Sequence, residues 1–108
     1  MIRRDWSAAL AAHQGKPCRV CLSLPRELAH VIPRAFDRQP YINQRRVVTV
    51  HPLAVVPLCK HHHLLYDSHR LDLHPYLTAD ELAFAVARVG EGDALRRIRG
   101  RVFLEDVA

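Results

Sequence analysis

Long apolar runs are missing from this chain. No stretch approaches the ~20 consecutive apolar residues of a membrane-spanning helix, so no membrane association is expected. Cysteine is scarce: Cys18, Cys21 and Cys59 are the whole complement. An odd count of three, with no apolar leader in view, argues against a secreted disulfide scaffold and for a reducing compartment. Lysine is rarer still, present only as Lys16 and Lys60, so Arg dominates a formal net charge of +5. Guanidinium forks suit phosphate, and a polyanionic partner fits that balance as well as a merely soluble basic protein does. Internal repeats and low-complexity segments are absent too. The 108 residues read as one domain (1–108), large enough for a modest core and small enough to gain from a metal staple.

What is present centres on Cys59-Lys60-His61-His62-His63-Leu64-Leu65-Tyr66-Asp67, which answers an earlier Cys18-Arg19-Val20-Cys21. Two thiols on a tight turn, met by a thiol and an imidazole, supply the soft donors of a closed tetrahedral Zn²⁺ site at Cys18, Cys21, Cys59 and His62. The 37 residues between Cys21 and Cys59 are too many for a simple zinc ribbon. The metal is therefore expected to staple the base of a larger insert, which contains His30 and leads to His63.

Along the chain, Met1 to Arg4 reads as a short basic arm. Asp5 can cap a helix over about 5–14, with Trp6, Leu10 and His13 on one face and Gly15 as its stop. His13 is read as a surface or helix-end residue. Glu27 to Ile32 reads as a strand stopped by Pro33, with Leu28, His30 and Ile32 on one side. Arg34 to Gln44 is a polar loop, and the β-branched run from Arg45 to Val50 reads as the second strand. A helix begins near Lys60, and its period places His63 and Asp67 on one face. Thr78 and Glu81 form a capping box opening an amphipathic helix over about 78–89, ended by Gly90. A last helix covers about 93–99 and stops at Gly100. Arg96, Arg97, Arg99 and Arg101 are the densest positive charge, open to reading as a solvated face or as a nucleic-acid contact.

The order Cys18-x2-Cys21, Glu27-Leu28-Ala29-His30-Val31-Ile32-Pro33, then Val56-Pro57-Leu58-Cys59-x2-His62-His63 with Tyr66-Asp67 resembles the HNH endonuclease family. It is most similar to the small HNH proteins of phages and prophages. The core of the likeness spans residues 18–67. The resemblance implies an α+β fold, a small zinc-stabilised domain with a ββα-metal (His-Me) finger core and flanking N- and C-terminal helices. It implies a metal-dependent endonuclease acting on duplex DNA in the cytoplasm of a bacterial host. His30 would be the general base, and His63 a ligand of a catalytic Mg²⁺ or Mn²⁺, with the zinc purely structural. Phosphate-backbone contacts are expected from Arg45, Arg46, Arg96 and Arg97, and phage packaging machinery is a further partner the resemblance suggests.

Two positions depart from the family pattern. Ala29 stands where many members carry an acidic metal ligand, and Ala54 stands where the central Asn is expected. A methyl group cannot bind a hard cation, so the nearest remaining donors in sequence are Asp67 and His51, with His61, His69 and Asp37 behind them. The alternative reading is a zinc-stapled DNA-binding or packaging-accessory module whose catalytic site has decayed.

Overall fold

The computed structural model describes residues 3–24, 26–33 and 47–101. Its elements are β1 (Arg3–Asp5), α1 (Ser7–Ala12), β2 (Glu27–His30), β3 (Val47–Thr49), β4 (Val55–Leu58), α2 (Lys60–Asp67), α3 (Ala79–Val89) and α4 (Glu91–Arg99). The result is a small α+β structure. Arg45, Arg46, Asp37 and the expected loop from Arg34 to Gln44 lie outside the described residues.

The strands form two separate two-stranded sheets. β2 pairs antiparallel with β4, with Leu28 opposite Pro57 and His30 opposite Val55. The β-branched run read as the second strand does supply a strand, β3, which lies parallel to β1, Arg3 opposite Val47. The segment expected to be a basic arm is therefore partly a strand. Two reasons favour the observed pairing. Val55, Val56, Pro57 and Leu58 are all buried, so this segment removes a continuous apolar run from water. In a two-stranded sheet each strand has a free edge, where Pro57 costs no ladder bond. The pairing is prolonged by the Val31 N–H donating to the Ala54 carbonyl at 2.9 Å.

α2 follows β4 with only Cys59 between them. It is pinned to the end of β2 by the buried Tyr66, whose hydroxyl donates to the Val31 carbonyl. Tyr66, Ala29, Val56 and Leu58 share the main core with Leu73, Ala85, Ala94 and Ile98 from the C-terminal half. A second cluster joins Ala9, Val50 and Val55, with Trp6 and Leu28 against it.

α1 is shorter than expected, and of the expected apolar face Trp6 and His13 turn inward while Leu10 does not. Ala9 is buried while Leu10 is half exposed, so the apolar contact is made by the small residue that lets the helix approach closely. His13, read as a surface or helix-end residue, is the C-cap of α1 but is only 4 % exposed, and its Nε2 pairs with the Pro52 carbonyl at 2.9 Å. The N-cap is Trp6, which makes no side-chain cap bond; Asp5, one residue earlier, accepts from the Ser7 N–H at 2.9 Å.

The C-terminal helices follow the sequence closely. The capping box is formed in both directions, Glu81 N–H to Thr78 Oγ1 and Thr78 N–H to Glu81 Oε1. Gly90 ends α3 with φ +89°, a region closed to most side chains. α4 carries Glu91 and Asp93 in its first turn and Arg96, Arg97 and Arg99 in its last, the arrangement that complements the helix dipole. Among the described residues no helix is long and apolar enough to cross a membrane.

Candidate metal centre and the adjoining histidine cleft

The C-x2-C turn is fixed from both sides. The Arg19 N–H donates to the Pro57 carbonyl at 2.9 Å, which hangs the turn on the outer edge of β4. The Arg19 guanidinium reaches the other way and forks onto Glu81 of α3 at 2.8 and 2.9 Å. Burial would raise the Glu81 carboxyl, but the Arg19 fork and the Thr78 N–H hold it below its ordinary value.

This placement brings Cys18, Cys21, Cys59 and His62 together, with one donor atom from each lying within 4.8 Å of the others. Cys21 Sγ lies 3.8 Å from Cys59 Sγ, and His62 Nδ1 lies 3.7 Å from Cys18 Sγ and 3.2 Å from Cys59 Sγ. Ordinary Zn–S and Zn–N bonds in a tetrahedron imply about 3.8 Å between sulfurs and about 3.6 Å from sulfur to nitrogen. The spacing and the soft donor set fit a metal ion such as zinc, and all three cysteines are free thiols. The Cys21 thiol is pushed down to about 6 by the Ser23 hydroxyl and N–H, with smaller help from Cys18 and Cys59. Thiolate character is what a metal requires of it. Four protein donors leave no open position, so the arrangement is suited to holding structure rather than to a reaction.

One turn further along α2, the chain opens a cleft of about 210 Å³ lined by His30, His63, Asp67, Arg97 and the apolar Leu28, Ile32 and Pro33. β2 delivers His30 on the side away from Ala29, where its ring meets the Trp6 ring edge-on at 5.3 Å. His63 faces two carboxylates. Its Nδ1 lies 3.0 Å from Glu27 Oε1, and its Nε2 lies 3.5 Å from Asp67 Oδ2. A hydrogen on Nδ1 donated to Glu27 leaves the Nε2 lone pair directed at the Asp67 side. An imidazole nitrogen and a carboxylate oxygen about 3–3.5 Å apart match two neighbouring ligands of one divalent ion. Arg97 also lines the cleft, with Nη2 3.4 Å from Asp67 Oδ1 and its guanidinium stacked 4.2 Å over the Tyr66 ring.

The sequence-derived candidates are thus partly assembled. His30, His63, Asp67 and Arg97 meet in one cleft. His51 is not among its lining residues. Its Nδ1 accepts from the Leu53 N–H at 3.0 Å, and its ring stacks on Phe84 at 4.5 Å. Arg96 is exposed and pairs with Asp93 at 3.1 Å. Ala54 is fully buried in the short 3-10 turn Pro52–Ala54, away from any role as a donor. Ala29 is buried in the main core. Two contributors were not singled out from sequence, Glu27 as the partner of His63 and Trp6 as the neighbour of His30. Alternation along β2 marks Glu27 only as a strand residue, and its partner stands 36 residues away. No protein-family model, curated protein or solved structure matches this chain.

Proposed function

We propose that this protein is a metal-dependent DNA endonuclease of the HNH type, built on a ββα-metal finger. The observation that carries the reading is the convergence of His30 from β2 and His63 from α2 in one cleft, beside a Cys3His centre. In this reading His30 takes the proton from the water that forms the new P–O bond. The bond to the 3′-oxygen breaks, and the leaving group departs as an alkoxide that takes a proton from solvent. His63 and Asp67 would hold a Mg²⁺ or Mn²⁺, and such an ion would supply electrostatic stabilisation of the charge that builds up in the reaction. Glu27 orients His63 through Nδ1, as a carboxylate behind a metal-ligating imidazole does. Zinc on Cys18, Cys21, Cys59 and His62 holds the turn, β4 and α2 in register. Duplex DNA is the substrate, and the host-cell cytoplasm is where the reaction takes place.

A second reading rests on Ala54, whose buried methyl brings no oxygen to the cleft. In that reading the protein is a zinc-stapled DNA-binding or packaging-accessory module without catalysis. Plasmid nicking with added Mn²⁺ or Mg²⁺ separates the two. The nuclease reading expects cleavage by the wild-type protein and its loss in His30→Ala and His63→Ala, both retaining zinc. Binding without cleavage under every cation would favour the accessory module.

A further inference from the structure

The cleft that holds His30 and His63 does not end at Arg97. The same Arg97 lines a neighbouring cleft of about 300 Å³ with His69, Arg96 and Gly100. His69 in turn lines a third, of about 500 Å³, with Arg70, Asp72, Arg99 and Arg101. The first and second clefts therefore share Arg97, and the second and third share His69.

Charge along this surface is uneven. Asp67 is paired with Arg97 at 3.4 Å, Asp93 with Arg96 at 3.1 Å and Asp72 with Arg99 at 3.6 Å. Each aspartate thus has its own arginine. Arg70 and Arg101 are left over: both are exposed, and neither side chain has an ionic partner among the described residues. The net positive charge sits at the end farthest in this series from the His30–His63 cleft.

The backbone holds that end in place. His69 adopts φ +62° and Gly100 φ +57°, and the His69 carbonyl accepts from the Arg101 N–H at 3.2 Å. A Cβ at position 100 would lie 2.8 Å from the same carbonyl oxygen, so only glycine permits this approach. Arg70 and Arg101 each directly follow one of these two clamped turns. They are brought across a common cleft by the fold, although 31 positions separate them in the chain.

We propose that this surface, from the His30–His63 cleft over Arg97 and His69 to Arg70 and Arg101, is a track for the phosphodiester backbone of duplex DNA. It rests on the nuclease reading for its starting point, since it would hold the strand that flanks the scissile phosphate. A lone phosphate would fill one cleft; a continuous polyanion would pass along all three and reach the guanidinium groups of Arg70 and Arg101, which have no ionic partner among the described residues and whose planar forks match phosphate oxygens.

The test is equilibrium binding of a short fluorescent duplex, titrated across NaCl concentrations without added divalent cation. The proteins compared are wild type, the double variant Arg70→Gln with Arg101→Gln, and a charge-matched control, Arg3→Gln with Lys16→Gln. Melting temperatures of all three establish that they are equally folded. Each lost phosphate contact flattens the slope of log K against log salt by about 0.9. The track variant is expected to lose about 1.8 in slope and to bind more weakly, while the control keeps the wild-type slope. A change smaller than about 0.9 in the track variant, or an equal change in the control, overturns the proposal. Cleavage plays no part in this readout. A wild type that binds along the track and never nicks plasmid would sink the nuclease reading alone.

Discussion

Glu27 and His63 meet at 3.0 Å, Oε1 to Nδ1, joining the first residue of β2 to the first turn of α2. The contact spans the two elements that carry the cleft, and it sets which nitrogen of His63 is left to face Asp67. Partners of this kind behind a metal-ligating histidine commonly alter metal affinity or activity by about 10–100-fold. Glu27→Ala should raise the Mn²⁺ concentration for half-maximal plasmid cleavage within that range, with zinc content unchanged. Glu27→Gln, which keeps an acceptor oxygen, should recover part of the loss. An unaltered cation dependence in Glu27→Ala would remove Glu27 from the site.

Zinc should be present at one ion per chain, and its loss should unfold the protein. Structural zinc contributes roughly 10–16 kcal/mol of apparent binding free energy in small peptides, against a domain stability of about 5–15 kcal/mol. The structure adds an order among the ligands. Cys18 is fully buried in the main core, whereas Cys21 is exposed. Cys18→Ser should therefore lower the melting temperature more than Cys21→Ser does. Zinc-free protein with the wild-type melting temperature, as judged by metal analysis and calorimetry, would contradict this.

Acid should weaken the tie between the cysteine turn and α3. The Glu81 carboxyl is held below its ordinary value of 4.5, so the folded state binds its proton less readily than the unfolded chain. Its contribution is present above about pH 4.5 and is lost as the pH falls through the lower, folded value. Glu81→Gln removes the charge at every pH and should cost roughly 3 kcal/mol at neutral pH, since Glu81 is 2 % exposed and its Arg19 partner is left uncompensated. Urea curves for wild type and variant should separate at pH 7 and draw together below pH 4.5. A gap that stays constant across this range would contradict the assignment.

Ala54→Asn should not rebuild a metal ligand. The Ala54 side chain is fully buried and its carbonyl is taken by Val31, so an amide there must overpack the turn and lose water. A destabilisation of about 1–3 kcal/mol is expected, with no fall in the cation concentration needed for cleavage. Urea denaturation and a Mn²⁺ titration of the same variant decide it; tighter cation use would mean that Ala54 faces the cleft after all.

The metal donors, α2 with His63 and Asp67 on one face, the capping box at Thr78 and the glycine stops at Gly90 and Gly100 were all legible in the sequence. Each is written within a few consecutive residues, because helix caps, i to i+4 neighbours and paired ligands on one turn obey fixed local spacing. The sequence also marked His30 and His63 as a pair to be brought together, through its likeness to a known pattern. It did not determine that β2 would pair with Val55–Leu58 rather than with the more strand-like run before it, nor that Ala9 and His13 would be buried and Leu10 exposed. Those outcomes, with the Glu27–His63 and Arg19–Glu81 contacts, join residues separated by 25 to 62 positions. Contacts at that range carry no local signature. Local β propensity marks strands without naming their partners, and only the packing of the whole core, which rewards burying all four residues of β4 together, selected the pair.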